Sequence, residues 1–183
     1  MTCNKLRTIS AIAVLFCVFF FISFLPGCIP KENVKIYFAK YEDNTSYLSP
    51  ENRLIISDEN FYVSILEELI RGPSSEQLYP VIPSDVKVYS VKLENGLAVV
   101  DLSKEIITNN TEIPHSSTTE VLAIFSIVNT LTEFDEIAGV RITVEGKKEG
   151  NINGAYIEDF WGHIGIYDDF ERNEQVLSKS SAE

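Results

Sequence analysis

Residues 86–103 read VKVYSVKLENGLAVVDLS, and they decide what kind of domain the chain can build. Asn95-Gly96 suits the centre of a type I′ turn, where both residues need positive φ. Apolar residues alternate on either side of it: Val86 and Val88, then Tyr89 and Val91 on the opposed face, and Leu97 to Leu102 on the return. Alternation of period two is the mark of a strand with one covered face, so the stretch is an antiparallel hairpin. An isolated hairpin is marginal in water, and neighbouring segments must cover it.

Those segments lie on both sides. Upstream, 73–85 is a loop with three prolines, and before it 60–71 carries Phe61, Ile65, Leu66 and Leu69 at helical spacing. Asp58 is placed to cap that helix, and Gly72-Pro73 ends it, since glycine takes the left-handed cap conformation and proline cannot continue a helix. Further upstream, VKIYFAK (34–40) alternates Val34, Ile36 and Phe38 against Lys35, Tyr37 and Ala39. It reads as a strand, 41–52 as a polar turn, and 53–57 as a second short strand. Downstream, Ser117-Thr118-Thr119-Glu120 has the spacing of a capping box. It opens a helix over about 118–132, with Val121, Ile124, Phe125, Val128 and Leu131 on one face, widened by Leu122 and Ile127. GVRITVEG (139–146) is another alternating strand. The order β-β-α-β-β-α-β makes a single α+β domain, with two helices on one face of a mixed sheet.

The N-terminus is a different kind of segment. Lys5 and Arg7 precede an uncharged run over 9–25, which ends in SFLPGCIP at 23–30. A spanning helix needs about 17–25 apolar residues, and a secretory signal joins a basic start, an apolar stretch and a cleavage site. Leu25-Pro26-Gly27-Cys28 resembles a bacterial lipobox, with cleavage between Gly27 and Cys28 and lipid on the Cys28 thiol; Pro26 stands where that pattern prefers Ala, Ser or Thr. A retained N-terminal anchor and simple secretion are the alternatives. All three place residues 29–183 outside the cytoplasm. Lipidation would remove Cys3 and Cys17 with the signal and consume Cys28, which excludes a disulfide framework, a zinc–thiolate site and a cysteine nucleophile. Loss of residues 1–27 takes two cations and no anions, leaving 13 Lys+Arg against 27 Asp+Glu, a net charge of −14. So acidic a chain is not a nucleic-acid binder, and it is not expected to lie flat on an anionic membrane.

Little in the chain points to catalysis. The two histidines are His115, in the lead-in to the second helix and expected to be solvated or at the helix end, and His163, near Asp159, Asp168 and Asp169. Two histidines without cysteine partners are a weak metal signature, and no cofactor or metal is expected. No serine lies in Gly-x-Ser-x-Gly or Ser-x-x-Lys, and no Gly-rich phosphate loop is present. Carboxylate runs at Glu42-Asp43, Glu67-Glu68, Glu133/Asp135/Glu136 and Asp168-Asp169 could supply a glycosidase pair. That keeps a cell-wall hydrolase, or its accessory subunit, as the rival reading. The C-terminal extension (158–183) is aromatic and acidic, with a frayed tail. Its Phe160, Trp161, Ile164 and Tyr167 are candidate interface residues, because aromatics often anchor interfaces; the alternative is that they cap the domain.

Several short features occur in a telling order: Leu69 with Gly72-Pro73, Ile82-Pro83, GLAVVDLS (96–103), VNTLTEF (128–134) and VRITVEG (140–146). In order, spacing and position after a lipobox they resemble the GerMN-domain (GerM-like) sporulation and spore-germination lipoprotein family, over roughly residues 34–155. The resemblance implies a fold similar to the ring-building modules of secretion and spore-channel assemblies. It also implies a non-enzymatic binding or assembly role. The organisation expected is a signal peptide (1–27), a lipidated tether (28–33), a GerMN-like domain (34–157) and the extension. The expected setting is the outer face of the cell membrane, with an envelope protein or a second copy as partner.

Overall fold

The longest ladder among the described residues lies at their start. In the computed structural model, which describes residues 30–177, β1 (Lys31–Glu42) and β2 (Thr45–Ile56) pair antiparallel from Lys31↔Ile56 to Glu42↔Thr45. The turn is Asp43-Asn44, with φ of 49° and 62°, the geometry also adopted by Asn95-Gly96. The polar turn expected over 41–52 therefore contracts to two residues, and polar 45–52 is strand. Its pairing is supported by Leu48, which is fully buried. Pro50 is tolerated because a two-stranded ladder leaves edge positions without a partner. One face of the ladder buries Val34, Ile36, Phe38 and Ile55; the other buries Tyr37, Ala39 and Leu48.

Helix α1 (Phe61–Arg71) buries Ile65, Leu66, Leu69 and Ile70. Asp58 does not cap it as expected. The preceding residue Asn60 is the N-cap and makes no side-chain cap bond, while the Asp58 carboxylate accepts from the Asn60 N–H at 2.8 Å. Gly72 ends the helix as expected and donates its N–H to the Leu69 carbonyl, but at φ 89° and ψ 173° it takes an extended glycine conformation and not the left-handed cap. Arg53 ties β2 to this end. Its guanidinium donates to Glu51 at 2.6 Å, Glu68 at 2.7 Å and the Gly72 carbonyl at 2.9 Å. Glu51 in turn accepts from the Ser74 and Ser75 N–H groups.

The hairpin at 86–103 forms as β3 (Val88–Glu94) and β4 (Leu97–Leu102). A short helix α2 (Glu105–Thr108) and a long one α3 (Ser117–Leu131) carry the chain to β5 (Gly139–Val144). That strand pairs parallel to β4, from Leu97↔Gly139 to Leu102↔Val144. A parallel pair needs a long crossover, and 103–138 supplies it. The small hairpin β6 (Asn151–Ile152) and β7 (Ala155–Tyr156) follows, and then β8 (Phe170–Glu171), which returns antiparallel to β5. The sheet order is β3-β4-β5-β8, and β1–β2 stays a separate ladder. The fold is thus α+β with a mixed sheet. The sequence reading placed all its strands in one sheet and did not see β8, whose two residues are too few for a period. Helices α1 and α3 each contact both the long ladder and the sheet. Among the described residues, no helix is long and apolar enough to cross a membrane.

Candidate functional site

Helix α3 begins one residue before its expected start. Its N-cap is Ser116, whose hydroxyl accepts from the Thr119 N–H at 3.2 Å, while Thr119 Oγ1 accepts from the Ser116 N–H at 3.0 Å. The capping box is Ser116/Thr119 and not Ser117/Glu120. That one-residue offset frees Glu120 for other work. Glu120 is fully buried in the first turn of α3, where the helix dipole favours an anion. Its Oε2 accepts from the His163 N–H at 2.8 Å, and its Oε1 from Ile164 and Gly165 at 3.1 and 2.9 Å. Charge-assisted bonds of this kind are about twice as strong as neutral ones. One carboxylate therefore holds three consecutive residues of the C-terminal loop.

The loop is shaped to be held. Phe160, Gly162 and Gly165 all have positive φ. At Gly165 an added Cβ would lie 2.5 Å from the Glu158 carbonyl oxygen, so only glycine fits. Trp161 donates Nε1–H to the Ile106 carbonyl at 2.7 Å, stacks on Phe160 and lies flat on His115, with ring centroids 4.4 Å apart and planes 7° apart. His115 is thus a packed ring, not a solvated one. Its Nε2 is buried without a hydrogen-bond partner, and burial pushes its pKa below the usual histidine value. Of the four candidate interface residues, Phe160 and Trp161 are buried and cap the domain. Ile164 (41% exposed) and Tyr167 (53%) face solvent, with the Tyr167 hydroxyl donating to Asp159.

A second set of contacts secures the segment after β8. Arg172 donates to the Asn129 carbonyl and the Tyr37 hydroxyl, each at 3.0 Å, and pairs with Glu133 at 2.7 Å. Asn129 binds the Asn173 backbone in both directions, at 2.8 and 2.9 Å. Glu133 also pairs with Lys35 at 2.9 Å. Burial alone would raise the Glu133 pKa, but the Tyr37 and Lys35 hydrogen bonds and the Arg172 charge hold it below the carboxylate range. Glu51 behaves alike: burial opposes ionisation, and the Ser75 and Ser74 N–H groups and Arg53 outweigh it. Asp169 is held low by Arg141, which grips it through two bonds of 2.7 and 2.6 Å. A glycosidase acid needs a raised pKa, and these carboxylates are shifted the other way. Among the described residues, no three His, Cys, Asp or Glu side chains converge to hold a metal.

Residues 35–150 match the family described as "Germane: Sporulation and spore germination". The chain belongs to this family. Within the Germane family, it is 32% identical over 115 residues to the spore germination protein GerM of Bacillus subtilis, spanning 62% of this chain and 31% of that protein. It therefore spans about a third of that relative's length. Tandem GerMN domains of the sporulation protein GerM from B. subtilis share its fold, with a TM-score of 0.59 and 22% identity over 84% of this chain and 49% of that one. A putative lipoprotein from Clostridium perfringens is 25% identical at a TM-score of 0.52, over 79% of this chain and 89% of that one. The match to the Germane family ends at residue 150, and the loop gripped by Glu120 lies beyond it. Gly27 and Cys28 lie outside the described residues.

Sequence reasoning missed Glu120 and Arg172 as anchors. Glu120 carried one faint signal, an acid among apolar neighbours on a helix that is otherwise covered. Arg172 carried none, because the groups it ties to the rest of the domain, Glu133, the Asn129 carbonyl and the Tyr37 hydroxyl, all lie far from it in sequence.

Proposed function

We propose that the chain is an extracytoplasmic lipoprotein, anchored through Cys28, that works without catalysis as a protein-binding or assembly module in sporulation or germination. The family match supports the process. The lipobox-like residues 25–28 and the likeness to a putative lipoprotein support the anchor. The observation that carries the binding role is the clamped loop. Ile164 and Tyr167 stand in solvent on a backbone held by three hydrogen bonds to one buried carboxylate. An apolar surface on a preorganised loop spends little conformational entropy on association.

Crosslinking in intact sporulating cells tests this reading. A crosslinked product is expected from the unaltered chain, and its loss from Ile164→Asp/Tyr167→Asp at unchanged protein level. Recovery of monomer alone, in growing and sporulating cells alike, would refute a binding role. Membrane release of Cys28→Ala tests the anchor separately.

A further inference from the structure

The β1–β2 ladder is covered unevenly. On the face that buries Tyr37, Ala39 and Leu48 at its far end, the near end is open. There Leu54 is 70% exposed and Ile56 41% exposed, two residues apart on one face. Their cross-strand partners are exposed Asn33 and Lys31. Single exposed apolar residues are ordinary, but this pair shares a face with Lys31 at the very end where the chain passes toward Cys28.

Covalent reach decides what that face meets. Three residue steps separate Cys28 from Lys31, and a fully extended chain spans at most about 10 Å over that interval. A lipid on Cys28 therefore holds the Lys31–Ile56 pair within a side chain's length of the headgroup layer. Strand rise puts Leu54 only about 7 Å further along the same face. The net charge of the mature chain opposes broad contact with an anionic surface, so orientation falls to a small face on which Leu54 and Ile56 lie beside Lys31. We infer that the open end of the β1–β2 ladder, through Leu54, Ile56 and Lys31, seats in the interfacial layer of the bilayer and orients the domain on its membrane. Leu and Ile enter the acyl boundary, and the Lys31 ammonium stays among the phosphates. The inference rests on the Cys28 anchor and adds an orientation to it.

The test uses the full acylated chain in vesicles of phosphatidylglycerol and phosphatidylcholine. Once Cys28 carries lipid, Leu54→Cys provides one thiol for a nitroxide, and Lys92→Cys on exposed β3 is the control. At position 54, relaxation by oxygen is expected to exceed relaxation by a water-soluble nickel chelate by several fold, and at position 92 the order reverses. Equal aqueous access at both positions, in a chain that sediments with the vesicles and carries lipid on Cys28, would overturn the inference and leave the anchor standing. A Cys28 without lipid would overturn both. Spin–spin broadening between nitroxides at position 54 would show a second copy on this face and also overturn the inference.

Discussion

The C-terminal segment is fastened twice, by opposite means. Over 163–165 it is held by a single buried carboxylate that accepts only backbone N–H groups. Over 172–173 it is held by a mesh in which the partly exposed ion pair of Arg172 and Glu133 joins buried Tyr37 and Asn129. A buried anion with all its partners in one loop is an all-or-none fastening, because its loss frees three adjacent donors at once. A mesh of several side chains is divisible and loses one contact at a time.

The contrast breaks most visibly at Glu120. Glu120→Ala removes three charge-assisted bonds and leaves the buried Gly165 N–H without an acceptor, which alone costs about 1–3 kcal/mol, so a loss of about 3 kcal/mol is expected in urea unfolding. Amide exchange at 163–165 should then approach the rate of free peptide. Arg172→Ala should cost about 1 kcal/mol, in keeping with exposed and partly exposed ion pairs. That cost should shrink in 1 M salt, whereas the cost of Glu120→Ala should not. If both substitutions respond to salt alike, the distinction between the two fastenings is wrong.

A smaller effect is expected from pH. His115 has its folded pKa below the usual 6.5 because burial against Trp161 disfavours its charge. In that window the unfolded chain binds more protons than the folded one, so stability falls as pH drops below about 6.5 and levels off below the folded value. His115→Phe keeps the stack and removes the proton. The difference in urea midpoint between pH 7.5 and 5.5 should therefore be smaller in that variant than in the unaltered chain. Ile164→Ser should change stability least, within about 0.5 kcal/mol as for other surface positions, while abolishing the crosslinked product. A large stability loss there would make Ile164 a packing residue and remove it from the proposed binding surface.

What could be read from the sequence follows the same division. Local patterns were legible: the Asn95-Gly96 hairpin, the Gly72 stop and the apolar faces of both long helices. The Asp43-Asn44 turn was not, because the strand after it is polar and contains Pro50, and only pairing with Lys31–Glu42 makes it a strand. Around 116–120 the pattern picks out Ser117 with Glu120, because a capping box ordinarily ends in Glu or Gln; the helix is capped by Ser116 with Thr119, and Glu120 is taken by a loop more than 40 residues away. Composition could not divide Phe160 and Trp161 from Ile164 and Tyr167, since all four are apolar or aromatic. Backbone path decides that: the positive φ at Phe160 and Gly165 turns two of them inward and two outward.

The bond from Arg172 to Tyr37 spans 135 residues, and it has a kinetic meaning. A chain made from its N-terminus displays β1, α1 and α3 before Arg172, the second cation on Glu133, and the loop that satisfies Glu120 exist. Contacts between distant parts of a chain form slowly because loop closure precedes any gain from them. The segment over 163–173 is thus a clasp made after the elements it closes on.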